Sequence, residues 1–72
     1  MGDDKEVEKS YSTKEVVAKL RRLADALEDE KTFEIQIAGE RVYVPPDATV
    51  EFEYARDGEA EEVEIEVKWK RR

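Results

Sequence analysis

Glutamate dominates the chemistry that this sequence can offer. Five glutamates recur at alternate positions of two segments near the C-terminus: Glu51, Glu53, Glu62, Glu64 and Glu66. If both segments are β-strands, alternate residues share a face, so these carboxylates line one surface. Grouped carboxylates can bind a basic protein, hold a hard cation or act as general acid and base. This acidic surface is therefore the first candidate site.

The usual catalytic constellations are missing from the sequence. The chain has no cysteine and no histidine, which excludes a thiolate nucleophile, a zinc signature and the commonest general base. Its glycines are isolated, so none builds a phosphate-binding loop. A chain of 72 residues also has little room for the cleft that paired catalytic carboxylates need. We therefore expect a non-enzyme with no catalytic residue, no cofactor and no metal ligand.

The charge distribution bears on partners and location. The net charge is −7, and residues 33–67 hold 11 acidic and 2 basic side chains. This balance argues against nucleic acid or an anionic membrane as the main partner. The sequence lacks an apolar run of about 20 residues that could span a membrane, and its charged start lacks a signal-peptide core. We expect a cytoplasmic protein, and a monomer rather than an oligomer, although an exposed strand edge leaves dimerisation open.

Periodicity predicts the elements that position the glutamates. Ser12-Thr13-Lys14-Glu15 is a capping box that starts an amphipathic helix. The helix should end within Glu28-Asp29-Glu30. Its apolar residues follow at spacings of three and four: Val16, Val17, Leu20, Leu23, Ala24 and Leu27.

Two hairpins follow the helix. A type II′ turn at Gly39-Glu40 would pair Ile37 with Val42 and Ile35 with Val44. Asp57-Gly58 predicts a second hairpin, with Phe52 opposite Val63 and Val50 opposite Ile65. The same register places Glu51 opposite Glu64 and Glu53 opposite Glu62 on the outer face.

Together these elements predict the fold class and the domain limits. We expect a two-layer α+β domain in which one amphipathic helix packs on a four-stranded antiparallel sheet of two hairpins. A polar run containing Val7 and Tyr11 has the composition for a short N-terminal edge strand. The expected organisation is a disordered N-terminus at 1–5, a domain at 6–69 and a basic tail at 70–72.

The acidic surface has three interpretations. It could be a solvated face that maintains solubility and discourages aggregation. It could instead be a docking surface for a basic protein. It could also hold a hard cation, although the sequence has no Asp-x-Asp-x-Asp-Gly loop to wrap calcium.

Trp69 and the basic tail each have two interpretations. Trp69 shares the inward parity of Val63, Ile65 and Val67, so it should cover the end of the core, the alternative being an exposed aromatic anchor for a partner. The tail should serve solubility, the alternative being contact with nucleic acid, extended by Arg21 and Arg22 on the helix. The tail cations are Lys68, Lys70, Arg71 and Arg72.

Three segments together resemble the amphi-Trp domain family. They are the helix Ser12–Glu28, the turn Val44-Pro45-Pro46-Asp47 and the closing segment Glu62–Trp69. The resemblance covers roughly residues 6–69. It implies a small free-standing prokaryotic domain and a structural position for Trp69, but no activity. Residues 70–72 lie beyond the part of the chain that carries the resemblance.

The sequence thus favours a small non-enzymatic module that binds a basic protein through its acidic sheet face. The candidate partner surface comprises Glu51, Glu53, Glu62, Glu64, Glu66 and Trp69. The alternatives are nucleic-acid contact through the basic tail and a stand-alone cation-responsive protein.

Overall fold

The computed structural model describes residues 5–71, which form one helix and four antiparallel strands. Residues 1–4 of the expected disordered terminus, and Arg72 of the tail, lie outside the described residues. The elements are α1 (Thr13–Glu28), β1 (Phe33–Ile37), β2 (Glu40–Val44), β3 (Thr49–Asp57) and β4 (Ala60–Lys68). The predicted α+β class, with a single helix and two antiparallel hairpins, is confirmed.

Local hydrogen bonds define both ends of α1. The predicted capping box is present: the Ser12 hydroxyl accepts from the Glu15 N–H at 3.2 Å, and the Ser12 N–H donates to the Glu15 carboxylate at 3.1 Å. At the other end, the Lys31 N–H donates to the Ala26 carbonyl and the Glu30 N–H to that of Leu27. This is the Schellman arrangement, and it requires the left-handed conformation that Glu30 adopts at φ 55°.

The first hairpin keeps the predicted faces but not the predicted register. Ile35 pairs with Val42, and Phe33 pairs with Val44. The loop residues are Ala38 and Gly39, both at positive φ, which is the type I′ pattern rather than the predicted type II′ turn at Gly39-Glu40. Moving the loop by one residue moves each partner by two, so the same side chains still face inward.

The second hairpin departs from the predicted register in the same way. Phe52 pairs with Ile65, and Val50 pairs with Val67. Asp57 pairs with Ala60, so the loop lies one residue later than predicted. Gly58 takes its first position at φ 61°, a conformation that glycine adopts without strain.

The two hairpins form two separate two-stranded sheets, β1–β2 and β3–β4, and do not join in the single four-stranded sheet that was expected. The helix approaches the backbone of β1, and no strand of one hairpin approaches the backbone of the other within residues 5–71. Among the residues that the structure describes, the buried apolar ones are Phe33 and Val44, 8% and 5% exposed. The core therefore lies between the helix and the first hairpin.

The N-terminal segment lies against the first hairpin without forming the predicted edge strand. Residues 5–12 contain no strand. Side chains make the connection instead: the Tyr11 hydroxyl donates to the Gln36 carbonyl at 3.1 Å, and Lys5 pairs with Glu40 at 2.9 Å. A polar run with two apolar residues has too little apolar surface to hold a strand at a sheet edge. In the described part of the chain, no helix has the length and apolar content needed to cross a membrane.

Candidate functional site

The second hairpin presents its carboxylates on one surface, which we call the acidic face. Strand alternation places all five predicted glutamates there: Glu51, Glu53, Glu62, Glu64 and Glu66. Four of the five are exposed, and Glu66 is half-buried. No other described helix or strand approaches the backbone of this hairpin. The acidic face is therefore open to a partner.

The observed register changes which glutamates oppose each other. Glu51 lies opposite Glu66, and Glu53 lies opposite Glu64. The predicted pairs, Glu51 with Glu64 and Glu53 with Glu62, are wrong because the loop lies one residue later in the chain. Glu62 instead lies opposite Ala55. Two like-charge pairs are still present, and directly opposed like charges destabilise a sheet.

Lys68 reduces the repulsion within one of these two like-charge pairs. Its Nζ lies 3.2 Å from Glu66 Oε1 and 3.4 Å from Glu51 Oε1. The hydrogen bonds from Lys68 to Glu66 and then to Glu51 raise the pKa of Lys68 above its usual value. One cation thus lies between two carboxylates at this end of the acidic face.

The Glu53–Glu64 pair lacks a comparable cation among the ion pairs of residues 5–71. The pKa of Glu64 is raised, first by a hydrogen bond with the Glu53 carboxyl group and then by the negative charges of Glu62 and Glu53. A hydrogen bond between two carboxyl groups requires that one of them hold a proton. The most strongly uncompensated part of the acidic face is therefore Glu53, Glu62 and Glu64.

These carboxylates do not converge on a point. No group of three or more acidic side chains within the described residues is arranged to hold a metal ion. Side chains on one face of a strand repeat about every 7 Å, whereas calcium requires six to eight oxygens at about 2.4 Å. The arrangement suits several separate contacts with cationic side chains better than one bound ion.

Trp69 lies apart from the acidic face. It follows the end of β4 and lines an apolar cleft of about 300 Å³ together with residues of all the main elements except β3. The cleft is lined by Leu23, Phe33, Ile35, Ile37, Val42, Val44, Ile65, Val67 and Trp69. Trp69 remains 37% exposed, so it covers the end of the core only in part.

The basic tail borders a second, more polar cleft of about 480 Å³. Lys70 and Arg71 line it with Trp69, but Asp47 also contributes, so the lining carries both signs of charge. Arg22 does not extend the tail: its guanidinium donates to the Glu34 carbonyl at 2.7 Å and lies 5.4 Å from the centre of the Phe33 ring.

Sequence reasoning missed the open apolar surface on the inner side of the second hairpin. Phe52, Tyr54 and Val63 are 75%, 58% and 68% exposed, although the predicted pairing placed Phe52 and Val63 on the face that should meet a core. The Tyr54 hydroxyl donates to Glu61 at 2.9 Å, and this bond raises the pKa of Tyr54. The sequence did indicate that some apolar surface would stay open, because the apolar stripe of a single helix is too narrow to cover the inner faces of two hairpins.

Comparison with known proteins places the chain in a family without assigning it an activity. The family model of the amphi-Trp domain matches residues 3–72, which includes the basic tail as well as the segments that carry the resemblance. Neither the curated proteins nor the solved structures gave a significant match. Because the family model matches nearly the whole length of the chain, the chain belongs to the amphi-Trp domain family.

Proposed function

We propose that this chain is a small, non-enzymatic protein-interaction module of the cytoplasm that binds a basic protein through its acidic face. The observation that carries the proposal is the cluster of Glu53, Glu62 and Glu64 on a hairpin face that no other described element covers. Lysine or arginine side chains of a partner would relieve the repulsion that the fold leaves in place.

The geometry favours a particular kind of basic segment. The β4 carboxylates at positions 62, 64 and 66 repeat every second residue, about 7 Å apart along the strand. Cationic side chains on alternate residues of an extended segment have the same repeat. Successive turns of a helix present side chains about 5–6 Å apart and match nearly as well. The partner is therefore expected to present lysines or arginines in one line.

Binding should also change the protonation of the acidic face. A cation placed beside Glu64 favours the charged carboxylate and lowers a pKa that Glu53 and Glu62 raise in the free protein. Complex formation at mildly acidic pH should therefore release a proton. The affinity should also fall as salt is added, because exposed charges attract each other less strongly in concentrated salt.

The test is affinity capture from a source-cell lysate at moderate salt, followed by direct binding of the captured protein in purified form. The test variant combines Glu53→Gln, Glu62→Gln and Glu64→Gln. A matched control combines Glu6→Gln, Glu8→Gln and Glu28→Gln, which removes the same charge from exposed positions elsewhere. A basic protein retained by the wild type and the control, but lost by the test variant, would support the proposal.

Other results would count against it. Equal capture by all three proteins, or capture by none, would leave the glutamates with a solubilising role. A partner that contains nucleic acid and is lost on deletion of residues 70–72 would move the function to the basic tail. A partner that the control variant also loses would indicate attraction to net charge rather than to the acidic face.

A further inference from the structure

The inner face of the second hairpin, opposite the acidic face, is apolar and largely uncovered. Three cross-strand pairs build it: Val50–Val67, Phe52–Ile65 and Tyr54–Val63. Along β4 the exposure rises toward the hairpin loop, from 45% at Ile65 to 68% at Val63, and on β3 Phe52 and Tyr54 are 75% and 58% exposed. Single exposed apolar residues are common on protein surfaces, but a contiguous patch marks an interaction site.

The surface area of the whole chain shows how much is left uncovered. The chain exposes 6573 Å². A folded monomer of 8.4 kDa is expected to expose about 4,600 Å², so the excess is about 2,000 Å². The exposed segment at residues 5–10 contributes part of this excess. A standard protein interface buries only about 800 Å² per partner, so an interface that covered less than half of this excess would have the size that a stable dimer needs.

Several features of the inner face fit a second copy of the same chain. The chain carries both protruding apolar side chains, Phe52 and Val63, and an adjacent apolar cleft of about 300 Å³. In a two-fold arrangement, each copy could insert these protruding side chains into the apolar cleft of the other copy. At the loop end of the inner face, Arg56 lies opposite Glu61. This face is therefore electrically balanced and suits an identical face better than a strongly charged partner.

The acidic faces do not oppose this arrangement. The two faces of a β-hairpin point in opposite directions, so joining two inner faces directs the two acidic faces outward and away from each other. Facing sheets pack about 10 Å apart, comparable to the screening length of about 8 Å at physiological salt. Repulsion between the two acidic faces is therefore weak.

We infer that the chain forms a two-fold symmetric homodimer through the inner face of its second hairpin, each copy completing the core of the other. The inference does not rest on the proposed binding of a basic protein, because that uses the opposite face. A homodimer differs from the monomer that we expected from the sequence.

The test is sedimentation equilibrium of the full chain over a wide dilution series, together with Tm at each concentration. We expect a molar mass twice the 8.4 kDa of a single chain, and a Tm that rises with protein concentration. Phe52→Gln should shift the mass toward the monomer at concentrations where the wild type is dimeric. Tyr43→Gln is the matched control, since Tyr43 is also an exposed aromatic residue, at 57%, but belongs to the first hairpin.

Each outcome decides the question. A wild type that stays monomeric, with a Tm independent of concentration, would overturn the inference, as would a dimer that Phe52→Gln leaves intact. If Phe52→Gln does not fold, the wild-type dilution series still decides whether folding and association are coupled. In a monomer, by contrast, a substitution at a site 75% exposed should leave both mass and Tm nearly unchanged.

Discussion

At the residue scale, the most informative group is the carboxyl group of Glu64. Its pKa is raised by Glu53 and Glu62, so the folded chain binds a proton more tightly than the unfolded chain does. Stability from this group is therefore complete below the unfolded pKa and is lost as pH rises through the folded pKa. The charged form of Glu64 thus opposes folding at neutral pH.

Glu64→Gln should therefore stabilise the protein at neutral pH. Glutamine keeps the shape of the side chain and can still hydrogen-bond to Glu53, but it removes one charge from the cluster. The gain should shrink as pH falls toward the unfolded pKa, where Glu64 itself is protonated. Urea unfolding of both proteins at a fixed protein concentration, repeated across a pH series, measures the effect.

Glu66→Gln is the control for this prediction. Glu66 belongs to the same face and the same strand, but its carboxylate contacts Lys68 at 3.2 Å. Removing that charge loses an attraction as well as a repulsion, so no stabilisation is expected at neutral pH. Equal stabilisation by both variants would show that net charge, rather than the contact between Glu53 and Glu64, determines the effect.

At the element scale, the two hairpin loops determine which residues meet. The sequence pattern predicted both hairpins and both apolar faces, because apolar residues alternate with polar ones. It could not fix the register, since a shift of two residues keeps every side chain on its face. The register depends on which loop residues adopt positive φ. In the first loop, an alanine adopts positive φ, although alanine does not favour that conformation.

Ala38 therefore offers a test of the observed type I′ loop. It adopts φ 50° before Gly39 at φ 85°. Asparagine tolerates the left-handed region better than alanine, and Asn-Gly is the favoured type I′ sequence. Ala38→Asn should stabilise the protein by roughly 0.5–1 kcal/mol, which corresponds to a Tm increase of a few degrees in a domain of this size. Thermal unfolding at a fixed protein concentration measures it.

Gly39→Ala tests the same loop from the other side. An added Cβ would meet no atom within 4 Å, so any loss of stability comes from the backbone conformation alone. A loss of about 1 kcal/mol is expected. If the loop were instead Gly39-Glu40, as the sequence pattern first indicated, Ala38 would lie in the strand, and asparagine there would destabilise the protein.

At the scale of the whole molecule, the sequence predicted the classes of element but not what covers them. An alternating pattern shows that a strand has an apolar face, and the presence of a helix suggests what covers it. Within residues 5–71 the helix approaches the backbone of the first hairpin but not that of the second, and even at the first hairpin Leu20 stays 43% exposed. The residues of the acidic face were likewise predictable. The contact by which Lys68 reduces the repulsion at one end of that face depends on the register and was not.

The charge of the whole molecule leads to the last prediction. The net charge is −7, and the second hairpin with its loop, residues 49–68, combines eight acidic with two basic side chains. Self-repulsion of this kind weakens the folded state and is screened by salt. The Tm should therefore rise as sodium chloride is added through the physiological range. The variant that combines Glu53→Gln, Glu62→Gln and Glu64→Gln should start from a higher Tm and respond less.

Protein concentration must be held constant in this experiment, because salt would also strengthen association between copies that carry the same charge. The Glu6→Gln, Glu8→Gln and Glu28→Gln variant separates local from overall repulsion, since it removes the same net charge away from the acidic face. If both triple variants lose the salt response equally, repulsion is spread over the whole molecule. If only the variant on the acidic face loses it, the second hairpin holds the unfavourable charge that a basic partner would neutralise.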